Sequence, residues 1–213
     1  MRFLHAIIAV ISFAAPVSAM AYEFSAENAY IAYTKLINPA DMAPYVSVFA
    51  SRFTPTTLER KSEFSKPRTS EDAAVILAKE VSQFDFREPF TVSTEGAFGE
   101  YNFSRSEFDF RPVSAATSFR SGPAWSRAPG DIEVVFLNTQ AFHGLPMDAA
   151  AAERFVREKP DRRVFMDLEF VPDSAIEGSD KIRAKVTRID VFADPAHRKL
   201  IYTFAGVDVK RSN

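Results

Sequence analysis

Along this chain the apolar residues change their spacing near Phe90. Before it they recur three and four apart, and after it they fall mostly on alternate positions. The first spacing puts one apolar stripe on a helix, and the second puts one apolar face on a strand. Ala26, Ala29, Tyr30, Tyr33, Leu36 and Ile37 share a helical face. Ser25 stands where a side-chain oxygen can cap the first turn, and Asn38-Pro39 supplies the stop. A second, short helix is expected within 39–53, with Pro44 near its start, followed by a polar connection over 54–68. Thr69 is then the expected cap of a third helix, whose stripe is Ala74, Leu77, Ala78, Val81 and Phe84.

Phe90, Val92 and Thr94 open the first strand, which ends near Gly96. Tyr101 and Phe103 are odd whereas Phe108 and Phe110 are even, so a tight turn or a bulge is expected across 104–107. Ile132, Val134 and Phe136 form another strand. A helix is expected over 146–159, with Ala152, Phe155 and Val156 inward and Pro160 as its stop. Val164, Met166, Leu168 and Phe170 alternate cleanly, as do Ile182, Ala184 and Val186. The next apolar pair, Ile189 and Val191, is out of phase, which predicts a bulge near Thr187-Arg188. Asp194-Pro195 turns the chain into a last strand carrying Leu200, Tyr202 and Phe204. Together these elements predict an α+β fold: helices packed on a twisted, mostly antiparallel β-sheet that ends in a C-terminal β-meander.

The first 21 residues follow a different pattern. Met1-Arg2 is a short positive start, Phe3 to Ala15 are almost all apolar, and small residues follow up to Ala21. That order is expected of a cleaved secretory signal, and the apolar run is short for a membrane span of about 20 residues. Val17-Ser18-Ala19 and Ala19-Met20-Ala21 both offer small residues at the positions a signal peptidase reads. The reading is therefore a signal peptide over 1–21 and a single domain over 22–213, exported to a bacterial periplasm. The absence of cysteine excludes disulfides, thiol nucleophiles and thiolate metal sites, and fits such a bacterial envelope protein. No second apolar run is long enough to span a membrane as a helix. Stability must come from a core in which 19 of the 21 phenylalanines are available, since Phe3 and Phe13 leave with the leader. A net charge of −2 gives no global attraction to nucleic acid or anionic lipid.

Chemistry-bearing residues are sparse. His143 and His197 are the histidines beyond the leader, and their spacing matches no metal motif. There is no serine-nucleophile elbow and no glycine-rich phosphate loop. Glu107/Asp109 and Asp167/Glu169 are carboxylates on alternate positions, as a glycosidase would use, or a solvated sheet face on which Asp167 and Glu169 meet Arg183 and Lys185. Residues 113–130 form a long connection rich in Ser, Ala, Gly and Pro, and connections of that length are usually functional or disordered. It holds Trp125, the sole tryptophan, with Phe119, Arg120 and Arg127, residue types that dominate binding surfaces; the alternative is that Trp125 and Phe119 pack on the core.

Three functions remain open at this point. The first is a non-catalytic exported domain that binds an envelope partner through a sheet edge and the 113–130 segment. The second is a carrier of an apolar small molecule, in which Phe98, Tyr101, Phe103, Phe108, Phe110 and Phe136 would line a void. The third is a hydrolase using the paired carboxylates. None of the three calls for a cofactor or a metal.

Overall fold

The computed structural model describes residues 21–53, 66–123 and 128–205. The expected leader, apart from Ala21, lies outside them. Four helices are described: α1 (Ala26–Ile37), α2 (Ala43–Arg52), α3 (Lys66–Gln83) and α4 (Ala149–Glu158). The strands are β1 (Tyr22–Glu23), β2 (Phe90–Ala97), β3 (Tyr101–Asn102), β4 (Glu107–Phe108), β5 (Ser118–Arg120), β6 (Glu133–Phe136), β7 (Leu145–Pro146), β8 (Arg163–Ile176), β9 (Lys181–Phe192) and β10 (Leu200–Ala205). The class is α+β.

Helix α1 begins and ends as its sequence dictates. The Ser25 hydroxyl accepts from the Asn28 amide at 3.2 Å, and Asn38 closes the helix in the left-handed conformation at φ 47°. The helix packs on β8 and on α3, while α2 packs on α3. Helix α3 starts at Lys66 rather than at the expected Thr69 cap. Pro67 falls in its first turn, where a missing N–H breaks no intrahelical bond, so the helix opens inside the stretch expected to be a polar connection. Its inner face is centred on Ala73 and Leu77, Phe84 is buried just past its end, and Ala78 is exposed.

One sheet of seven strands runs in the order β1-β2-β8-β9-β6-β5, with β10 also paired to β9. Strand β8 lies antiparallel along the whole of β9. The other side of β9 is shared: its first half takes β6 in parallel, and its second half takes β10 antiparallel. The predicted bulge is present, because Glu169 faces Arg188 while Phe170 faces Val186, leaving Thr187 unmatched. That one extra residue keeps Ile182, Ala184, Val186, Ile189 and Val191 all buried on one face.

A second sheet joins β3, β4 and β7. The phase flip after Phe103 is the tight turn between β3 and β4, held by the Asn102 side chain accepting from the Ser104 and Arg105 amides. Pro146 lies in β7, so α4 begins three residues later than expected, with Asp148 as its cap. The Asp148 carboxylate accepts from the Ala151 amide at 2.8 Å. Phe155 of α4 stacks on Phe98 at 5.0 Å and reaches Phe108 at 6.2 Å.

Aromatic rings fill the interior. Phe98 meets Phe108 at 4.6 Å, Phe136 meets Phe170 at 5.4 Å, and Phe110 lies 6.3 Å from Phe204. Phe98, Phe108, Phe110 and Phe136 are all buried in this packing, whereas Tyr101 is half-buried and Phe103 is 80% exposed. The four buried rings therefore build solid core, and of the six only Tyr101, Phe103 and Phe108 also border a surface groove.

Candidate functional site

Strand β5 lies within the stretch expected to be irregular, and it brings one of the expected binding residues into a charged row. Arg120 pairs directly with Glu133 across β5 and β6, and Glu133 pairs with Lys181 across β6 and β9. Residues in register point to the same face of a sheet. The Arg120 Nη2 atom lies 3.4 Å from Glu133 Oε2, and Lys181 Nζ lies 3.2 Å from the same oxygen. Burial pushes the Glu133 carboxyl up, but the Lys181 hydrogen bond and charge, with Ser118 and Arg120, outweigh it and hold its pKa below the usual value.

These side chains border a cleft of about 540 Å³, together with Asp131, Ser179 and Asp180. Its floor is fixed by a buried ion pair. Asp131 is only 1% exposed, and its Oδ1 accepts from Arg52 Nη1 of α2 at 2.6 Å. Its Oδ2 accepts from the Ala128 amide at 3.0 Å, while Arg52 also donates to the Pro129 carbonyl at 2.7 Å. Gly122 packs so tightly on this carboxylate that a Cβ there would fall 2.1 Å from Asp131 Oδ1. The returning chain is pinned by Gly130, whose φ of +84° suits glycine and whose Cβ would crowd Val48. The cleft is thus a rigid, polar surface whose charges are largely bonded to one another.

Of the four residues singled out from sequence, Arg120 lines this cleft. Phe119, the next residue along β5, alternates to the opposite side and meets Phe136 edge-on at 5.8 Å, the packing role left open above. Trp125 and Arg127 lie outside the described residues, in a segment whose flanking residue Ala128 borders the cleft. Glu133, Asp131 and Lys181 were not expected in a site. Lys181 reaches it through the parallel pairing of β6 with β9, and alternation along a strand names a face without naming the neighbour.

The other sequence candidates are dispersed. Asp167 faces Asp190, and Glu169 faces Arg188, rather than Arg183 and Lys185. The hairpin between β8 and β9 turns at 177–180, which places Arg183 opposite Ser174 and Lys185 opposite Val171. Asp167 instead accepts from the Ser93 hydroxyl at 2.6 Å and bonds His197 Nδ1 at 2.8 Å. The His197 ring stacks on Phe192 at 4.8 Å. It is carried on a turn in which Asp194 accepts from the amides of Ala196, Arg198 and Lys199, bonds that, the Lys199 amide foremost, draw the Asp194 carboxyl below its usual pKa. His197 is therefore a held side chain and not a loose surface one. His143 lies with Glu107 and Asp109 around another cavity of about 540 Å³, where Glu107 is ion-paired with Arg105 at 2.8 Å. Among the described residues no cluster of three His, Asp or Glu side chains is placed to hold a metal ion, and no helix is long and apolar enough to cross a membrane.

A third concave region is apolar. Tyr101, Phe103, Phe108, Ala149, Ala152 and Val156 line a groove of about 630 Å³ between the small sheet and α4.

No curated protein and no solved structure matches the chain. Residues 40–158 match the family model described as a domain of unknown function, DUF4852. That segment is more than half of the chain and carries the whole apolar groove and the Arg120, Asp131 and Glu133 side of the cleft, and on it the protein belongs to the DUF4852 family.

Proposed function

We propose that the protein is an exported, non-catalytic domain that binds a polar component of the bacterial cell envelope at the Arg120–Glu133–Lys181 cleft. The observation that carries this reading is the transverse row of charges on a floor fixed by the Arg52–Asp131 pair. A rigid surface of donors and acceptors binds a polar partner with little ordering cost. The expected leader supports export. The arrangement around His197 supports the non-catalytic reading: the Ser93 hydroxyl is turned to Asp167 and not to a histidine base, so that hydroxyl is not activated as a nucleophile. The polar wall of the cleft also favours a hydrogen-bonding partner over an apolar cargo.

Export is tested by fractionating cells that make the full-length chain. Binding is tested by passing fractionated envelope extract over the immobilised protein and over the Arg120→Ala, Lys181→Ala double variant. Retention of a glycan or protein component by the first and not by the second is expected. Equal retention by both proteins contradicts the assignment of the cleft.

A second reading, contact with an apolar molecule, is favoured by one observation: the groove beside α4 has Phe103 80% exposed at its rim. On that reading a lipid fraction is retained, and Phe103→Ser abolishes retention.

A further inference from the structure

We propose that the cavity carrying Asp109, Arg111 and Thr139 is a binding site for a small zwitterion, an α-amino acid whose carboxylate meets Arg111 and whose ammonium meets Asp109. The inference goes beyond the cleft reading and shares no residue with the cleft.

Three short stretches wall this cavity of about 540 Å³. The first is the chain leaving β4. Phe108 and Phe110 are buried in the core, so Glu107, Asp109 and Arg111, which alternate with them, take the cavity side. The second is 139–144. It is anchored by the buried Phe142 ring, 6.2 Å from Phe204, and by the Gly144 amide, which donates to the Phe110 carbonyl at 2.8 Å. The third is 113–116, held by a turn in which Thr117 Oγ1 accepts from the Ser114 amide at 2.9 Å. The walls are therefore fixed before any ligand arrives.

The fold bonds some of the polar groups here and leaves others unused. Glu107 is neutralised by Arg105 at 2.8 Å, and His143 Nδ1 is bonded to the Gln140 carbonyl at 3.2 Å. The Asp109 carboxylate and the Arg111 guanidinium are opposite charges two positions apart on one side of the chain. Yet they pair neither with each other nor with any other described residue. Thr139 is only 8% exposed, and its hydroxyl also has no hydrogen-bond partner among the described residues. Buried hydroxyls are nearly always bonded, and this one lines the cavity.

The chemistry of the ligand follows from these groups. A guanidinium takes a carboxylate in a bidentate fork, and a free carboxylate takes an ammonium. His143 aside, Arg105 and Arg111 balance Glu107 and Asp109, so a simple anion or a simple cation gains no net attraction. A molecule carrying both charges gains at both ends. Alternate positions of an extended chain lie at most about 7 Å apart, so the two charges must be close together in the ligand. They are so in an α-amino acid, where one carbon separates them. Thr139 adds a hydrogen bond, and the volume is in the range of small-molecule sites, with room for a side chain.

Calorimetric titration of the purified protein with the common α-amino acids tests this, with acetate and methylammonium as single-charge controls. At least one amino acid should bind with a Kd below about 1 mM, and neither control should. Arg111→Gln and Asp109→Asn should each weaken that binding about tenfold or more, and Thr139→Val should weaken it less. The Arg120→Ala, Lys181→Ala variant should bind as the parent does. Asp109 and Arg111 are exposed and unpaired, so their replacement should move the melting temperature of the unliganded protein by less than about 2 °C. Failure of every amino acid to bind, or equal binding of either control, overturns the inference. So does binding that survives Arg111→Gln or Asp109→Asn, or that is lost in the cleft variant. A larger fall in melting temperature would make the two charges structural and would overturn it as well.

Discussion

The charged cleft and the apolar groove are both concave, yet they are built in opposite ways. The cleft takes its row from three neighbouring strands of the large sheet, at Arg120, Glu133 and Lys181, and each charge already has a partner. The groove takes its walls from the β3–β4 hairpin and from α4, about forty residues further along the chain, and leaves Phe103 uncovered. Strand pairing and ion pairs make the first rigid, while the exposed ring at the rim of the second makes that edge tolerant of change. A region whose polar groups are pre-bonded can exchange those bonds for a partner's without ordering anything.

The contrast breaks hardest at the floor of the cleft. Arg52→Ala leaves the Asp131 carboxylate buried at 1% exposure without its cation, and removal of one partner from such a pair costs on the order of 3 kcal/mol. Chemical denaturation should show that loss. A change below about 1 kcal/mol would mean that the floor is not fixed as described. Next, Arg120→Ala with Lys181→Ala removes half-exposed partners at the rim of the cleft, so stability should fall by only about 1 kcal/mol while retention of the polar fraction is lost. A large fall in stability would make the row structural and not functional.

A smaller effect follows from Glu133, whose pKa is lowered in the fold from its ordinary 4.5. Such a group adds stability that is fully present above the unfolded value and is lost as pH falls through the folded one. Lys181→Met removes the main favourable cause of the lowering. The stability gap between the two proteins, measured by urea titration, should therefore be open at pH 7 and close below about pH 4.5, the unfolded value of that carboxyl. A gap that persists at pH 3 would place the Lys181 contribution elsewhere. The smallest effect is expected at the groove: Phe103→Ser should shift stability by less than about 0.5 kcal/mol, because the side chain is 80% exposed. A larger loss would show that Phe103 is packed.

What could be read from sequence follows the same division. Ser25, Asn38 and the bulge at Thr187 were legible because each is fixed by neighbours a few residues away. Pro67 and Pro146 misled because proline marks both a helix start and a strand end, and the choice is made by distant contacts: Pro146 pairs with Glu107 in β7. Arg120 was found by residue type alone. Its partners were not, since the β6·β9 pairing joins residues about fifty apart and runs parallel, a connection that no local period records. Asp167 and His197 escaped for the same reason, as their contact spans thirty positions.

Trp125 is the only indole in the chain and lies between Pro123 and Ala128, the latter a residue of the cleft wall. Its fluorescence, from an indole three positions along the chain from that wall, is the readout for partner binding. Emission should move to the blue when the glycan or protein fraction of envelope extract is added to the mature protein, and the shift should vanish in the Arg120→Ala, Lys181→Ala variant. Emission that ignores those fractions, or that responds only to the lipid fraction in both proteins, would contradict the cleft as the binding site.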